Sequence, residues 1–119
     1  MKSNNILQLY NIAPTEQIVE SGLRRAGVKV SPQYYFCDNK KRFRLDFAVF
    51  CKNGSIALEC DNKKAHSGAY HIEKDKIKDI FLQQQGWVMI HLTEQDIVSD
   101  LKVCIERVQK AVKKLGGLI

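Results

Sequence analysis

The spacing of apolar residues switches between helical and strand periods along the chain, and the switches mark out its elements. Over residues 16–26, Ile18, Val19, Leu23 and Ala26 supply a helical packing face, with Thr15 as N-cap and Gly27 as stop. Glu20 and Arg24 are spaced to pair on that helix. The period then becomes two. Residues 33–37 read as a strand, 38–41 (Asp-Asn-Lys-Lys) as a turn, and 42–51 as a long strand. Phe43, Leu45, Phe47 and Val49 fall on one face of that strand, and Arg42, Arg44, Asp46, Ala48 and Phe50 on the other. Asn53-Gly54 is a strong two-residue hairpin signal, and 55–61 is the returning strand. Residues 73–85 are helical, with Ile77, Ile80, Phe81 and Leu82 inward and Gly86 at the end. Residues 87–92 form a short strand. Thr93 and Asp96 resemble a capping box that opens a last helix. Its stripe is Ile97, Leu101, Cys104, Ile105, Val108, Val112 and Leu115; its other face carries Lys102, Arg107, Lys110, Lys113 and Lys114. The order α-β-β-β-α-β-α predicts an α/β domain with helices on a mixed sheet.

The hairpin concentrates charge. If Asn53-Gly54 is the turn, Lys52 faces Ser55 and, in the same register, Asp46 faces Asp61. Glu59 then faces Ala48 and lies diagonal to Asp46. Directly opposite residues have Cβ atoms about 5 Å apart, and diagonal ones about 7–8 Å. Two full charges at that separation repel by about 3 kcal/mol at an effective dielectric near 20. A shared proton or a bound hard cation, Mg²⁺, Mn²⁺ or Ca²⁺, would relieve the repulsion. The alternative is a salt-bridge cluster in which Arg44 neutralises part of the charge. Lys63 continues the parity of Glu59 and Asp61, while Lys64 points away. His66 follows closely and is a candidate proton carrier or metal-shell member.

Composition narrows the class. A chain of 119 residues is expected to be one domain. Residues 1–13 form a polar lead-in, the core spans 14–107, and 108–119 hold the end of the basic last helix. A net charge of +6 favours an anionic partner, of which nucleic acid is the commonest. No apolar run reaches the ~20 residues that span a bilayer, and the start lacks the apolar core of a secretory signal. Cys37, Cys51, Cys60 and Cys104 form neither a Cys-x-x-Cys pair nor a zinc pattern, so reduced core cysteines of a cytoplasmic protein are expected.

Taken in order, Pro14-Thr15-Glu16, Leu45-Asp46-Phe47, Glu59-Cys60-Asp61 to His66, Asp75-Lys76-Ile77-Lys78-Asp79 and Gln85-Gly86-Trp87 to Leu92-Thr93 resemble the Vsr-like (very-short-patch-repair-like) branch of the PD-(D/E)XK nuclease superfamily. Together these motifs cover 14–107. The resemblance implies a restriction-endonuclease-like core in which Asp46 ligates Mg²⁺ or Mn²⁺ and Glu59 and Asp61 complete the acidic site. It implies Glu16 at the site's edge, His66 as a general acid or base, and Asp75 and Lys78 on the helix that lines the site. Three departures stand out. Asn62 replaces the usual Gly, Ala65 replaces a bulky residue, and no Lys closes a Glu-x-Lys, although Asp61-Asn62-Lys63 offers one a step later.

The leading expectation is a metal-dependent endonuclease acting on DNA in repair, restriction or mobile-element processing, with RNA left open as a substrate. Lys63 or His66 would orient or deprotonate the water. Lys40, Lys41, Arg42, Arg44, Lys64 and Lys78 would hold the nucleic-acid backbone. The alternative is a catalytically silent nucleic-acid- or partner-binding module on the same fold. A homodimer fits either reading, and the last helix is expected to serve the core rather than an interface.

Overall fold

The computed structural model describes residues 14–38, 41–61 and 69–119, with the side chains of Asp38, Lys41 and 69–75 left aside. A four-stranded sheet in the order β1-β2-β3-β4 organises them. Its strands are β1 (Ser31–Asp38), β2 (Lys41–Cys51), β3 (Gly54–Asp61) and β4 (Trp87–Thr93). The first three form an antiparallel meander, and β4 runs parallel to β3. A parallel neighbour requires a crossover, which α2 (Ala69–Gln84) supplies. Helix α1 (Pro14–Arg25) precedes the sheet, and α3 (Glu94–Ser99) and α4 (Leu101–Lys114) follow it. The α/β class with a mixed sheet between helices is therefore the one the periodicity predicts. No helix among the described residues is long and apolar enough to cross a membrane.

Each sheet face carries its own core. On one, Val19 and Leu23 of α1, Ile97 of α3 and Cys104 and Val108 of α4 cover Phe47, Val49, Ile56 and Leu58. On the other, Leu82 of α2 covers Leu45, Ala48, Ala57 and Trp87. Rings of Tyr34, Phe36, Phe50 and Trp87 meet there largely edge to face, with Phe81 against Phe36 and Phe43.

Strand β2 does not keep one face throughout. Phe43 and Leu45 pack on the α2 side, whereas Phe47 and Val49 pack on the α1 and α4 side. The inversion falls at Asp46. Its counterpart in β1 is Gln33, the step missing between the pairs Pro32–Phe47 and Tyr34–Leu45. Gln33 has φ 51°, a left-handed conformation that costs a non-glycine residue of order 1–3 kcal/mol. The single alternating face expected for Phe43 to Val49 is thus broken by a paired irregularity in both strands.

The hairpin register also differs from expectation. Cys51 pairs with Gly54, Val49 with Ile56 and Phe47 with Leu58, so the turn residues are Lys52 and Asn53. One step past Phe47–Leu58, Asp46 meets Glu59 and not Asp61. The C-terminal tail accounts for the shift. Lys52 and Asn53 donate their N–H groups to the carbonyls of Gly117 and Leu115, both at 2.9 Å, and Cys51 bridges to Leu118. Docking the turn onto the tail outweighs the local Asn-Gly preference. A slip of two residues preserves parity, so Glu59 and Asp61 still share a face.

Three smaller departures concern helices. Ile18, Ile77 and Ile80 are 40%, 50% and 55% exposed, because Glu16 and Lys78 take inward positions beside Val19 and Leu82. The last helix is two helices, broken at Asp100 (φ −151°, ψ 61°); the Thr93 hydroxyl caps the first by accepting from Asp96 N. The cysteines are free, and Cys51, Cys60 and Cys104 are buried as expected, but Cys37 is exposed.

Candidate functional site

The inversion in β2 turns Asp46 toward the end of β3. There its Oδ2 accepts the backbone N–H of Cys60 at 2.8 Å. Asp46 and Glu59 are 6% and 7% exposed, and their carboxyl groups share a hydrogen bond. Burial first, and the Asp46 charge second, push the Glu59 carboxyl up to about 8, against the pull of the Lys78 ammonium. Glu59 therefore holds its proton more tightly than a free carboxyl would. Lys78 reaches in from α2, contacts Glu59 Oε1 and donates to the Arg44 carbonyl at 3.1 Å. The Arg44 guanidinium lies 3.9 Å from Asp46 Oδ1.

Glu16 enters from α1 on the other side of the sheet. It is 7% exposed, and its Oε2 accepts from Gln33 Nε2 at 3.2 Å. The strained Gln33 thus ties the β1 irregularity to the site's edge. Cys60 registers the whole arrangement. Burial raises its thiol, and Asp46, Glu16, Glu59 and Asp61 each raise it further.

Asp61 looks elsewhere. His91 of β4 has Nδ1 3.1 Å from Asp61 Oδ2 and Nε2 2.6 Å from Asp79 Oδ2. Its hydrogen bond to Asp61 raises the imidazole to about 9; burial opposes this and Asp79 adds to it. With carboxylates at both nitrogens, the ring is an imidazolium donating twice. The Asp79 Oδ1 atom is buried with no hydrogen-bond partner among the described residues.

Of the residues singled out in the sequence, the fold brings Asp46 and Glu59 together and sets Glu16 across the sheet near Cys60. Asp61 stays on their strand but turns to His91. Among the described residues, no three His, Cys, Asp or Glu side chains group closely enough to hold an ion. The expected grouping of Asp46, Glu59 and Asp61 is therefore a pair plus a neighbour. Lys78, expected against a nucleic-acid backbone, contacts Glu59 in this structure. Arg42 and Arg44 are exposed nearby. Lys40, Lys63, Lys64 and His66 lie outside the described residues, as do the side chains of Lys41 and Asp75.

Sequence reasoning missed His91 and Asp79. The parallel register sets His91 beside Glu59 on β4, and no local pattern announces a parallel neighbour. One signal was available. His91 shares the parity of Trp87 and Met89, so it is the polar residue on the face that α2 covers.

The model of one family, REase_MTES_1575, which is restriction-endonuclease-like, matches residues 16–112. No curated protein and no solved structure matches the chain.

Proposed function

Because the chain belongs to the REase_MTES_1575 family, a restriction-endonuclease-like family, we propose that it is a metal-dependent endonuclease that hydrolyses phosphodiester bonds of DNA. One observation carries this reading. The buried carboxylates Asp46 and Glu59 meet at the end of β3 beside the Lys78 ammonium, and a third, Glu16, is buried across the sheet where its charge still acts on Cys60. Buried charge is costly, and a purely structural core would not bury three acids around one strand end.

The donor set fits a hard divalent ion. Burial first, and the neighbouring Asp46 charge second, raise the Glu59 carboxyl toward neutrality. An ion there would take the place of the proton. Asp46 and Glu59 would hold Mg²⁺ or Mn²⁺, and Asp61 would join them only by leaving His91. Such an ion, when bound, lowers the pKa of a coordinated water and neutralises charge on the phosphate. The chain's own residues do the rest. Lys78 puts its ammonium beside Glu59, where it orients the attacking water or a phosphate oxygen. Arg44, next to Asp46, holds a neighbouring phosphate, and Arg42 extends that grip along the strand. Glu16 fixes the edge of the site through Gln33. Lys63 and His66 follow Asp61 in the chain and are proposed as further proton carriers.

The order Glu16, Asp46-Phe47, Glu59-Cys60-Asp61 and Gly86-Trp87 supports a Vsr-like form of the fold, with a role in DNA repair, restriction or mobile-element processing inside the cell. The test is nicking of supercoiled plasmid and single-stranded DNA with Mg²⁺ or Mn²⁺, by wild type and Asp46→Ala. Wild type should cut and the variant should not. Wild type that binds DNA and cuts neither DNA nor RNA would establish the silent binding module instead.

A further inference from the structure

Tyr34 and Phe36 of β1 turn into the aromatic core under α2, so Tyr35 between them turns to the opposite face. Tyr35 is 50% exposed, and among the described residues no other aromatic side chain is as open. Arg44 is its cross-strand partner on β2. The Arg42 guanidinium lies over the ring, 4.5 Å from its centroid. Arg44 in turn is the residue 3.9 Å from Asp46. The ring and the two guanidinium groups therefore lie together on the face opposite α2, and Arg44 links them to the acidic pair through Asp46.

We propose that Tyr35, flanked by Arg42 and Arg44, is a stacking platform for an unpaired nucleobase of the DNA strand entering the acidic site. This deepens the endonuclease reading and rests on it. The chemistry is that of single-strand binding. An exposed ring offers a π-face to any base, and neighbouring guanidinium groups contribute cation–π and phosphate contacts. Bases inside a duplex already stack on each other, so such a ring engages only a frayed, flipped or single-stranded base. The substrate class that follows is DNA with an unpaired stretch beside the cut. A merely structural Tyr35–Arg42 contact would bind no base.

The test is fluorescence anisotropy with labelled oligo(dT) and a blunt duplex of equal length, in chelator so that nothing is cut. Wild type, Tyr35→Phe, Tyr35→Leu and Tyr35→Ser are compared, each first shown to be folded by circular dichroism. Wild type should prefer the single strand, and Tyr35→Phe should match it within about twofold. Tyr35→Leu and Tyr35→Ser should each lose roughly tenfold on oligo(dT) and almost nothing on the duplex. Unchanged oligo(dT) affinity in both variants, or an equal loss on both nucleic acids, overturns the platform. If wild type still nicks plasmid in that case, the endonuclease reading stands alone. If wild type binds no oligonucleotide, the platform falls, and plasmid nicking with metal decides the endonuclease reading separately.

Discussion

The Asp46 carboxylate accepts the Cys60 N–H at 2.8 Å, one step beyond the last backbone pair of β2 and β3. The acid at the centre of the site is thus also the joint that replaces a rung of the ladder. Asp46→Asn keeps an acceptor for Cys60 and removes the charge that pushes Glu59 up. Asp46→Ala removes both, and a buried N–H without a partner costs about 1–3 kcal/mol. Asn should therefore melt at or above wild type, Ala should melt below Asn, and neither should nick plasmid. Calorimetry and a nicking assay check this; equal melting points for the two variants would break the account.

Lys78 stands against Glu59, not out among the exposed basic residues. If it acts on the water or the scissile phosphate, Lys78→Met should slow nicking by roughly 100-fold or more, in the range of general acid–base effects. DNA affinity should hardly move. Lys78→Arg should recover part of the rate by restoring the charge. A variant that loses affinity while cutting bound DNA at the wild-type rate would return Lys78 to backbone binding.

The fold and part of the candidate site were legible in the sequence, and the reasons are physical. Alternation and helical spacing reflect burial, which local pattern records faithfully, so the strands and the Val19–Leu23 and Ile97–Val108 faces were legible. Asp46 and Glu59 were legible because acids in apolar strand patterns are anomalous, and Glu16 through the family resemblance. Long-range choices were not. The tail carbonyls of Leu115 and Gly117 moved the hairpin turn, the Gln33–Asp46 irregularity inverted β2, and the parallel docking of β4 delivered His91. Ile77 and Ile80 were misjudged for a related reason. A buried acidic pair drew Lys78 inward and rotated the helix by one position.

The tail's control of the turn can be tested away from the acidic site. Gly116 has φ +84°, and a Cβ there would meet Asn53 Nδ2 at 2.7 Å. Gly116→Ala combines a left-handed backbone with that clash, so it should cost about 1–2 kcal/mol and lower the melting point by several degrees. Nicking per folded molecule should be unchanged. A melting point equal to wild type would mean that the tail does not hold the turn.

His91 between Asp61 and Asp79 sets a pH dependence whose sign is fixed. Its hydrogen bond to Asp61 and the second bond to Asp79 raise the folded pKa from the ordinary 6.5 to about 9. A cation preferred in the folded state stabilises fully below the unfolded pKa and loses that contribution as pH rises through the folded one. Melting points in chelator should therefore show wild type above His91→Gln at pH 6, with the gap closing between pH 6.5 and 9. Glu59, raised from 4.5 to about 8, also makes stability fall with rising pH, over a lower window. That slope is common to both proteins and cancels in the comparison. A gap that stays constant from pH 6 to 9.5 would show that His91 contributes by packing alone.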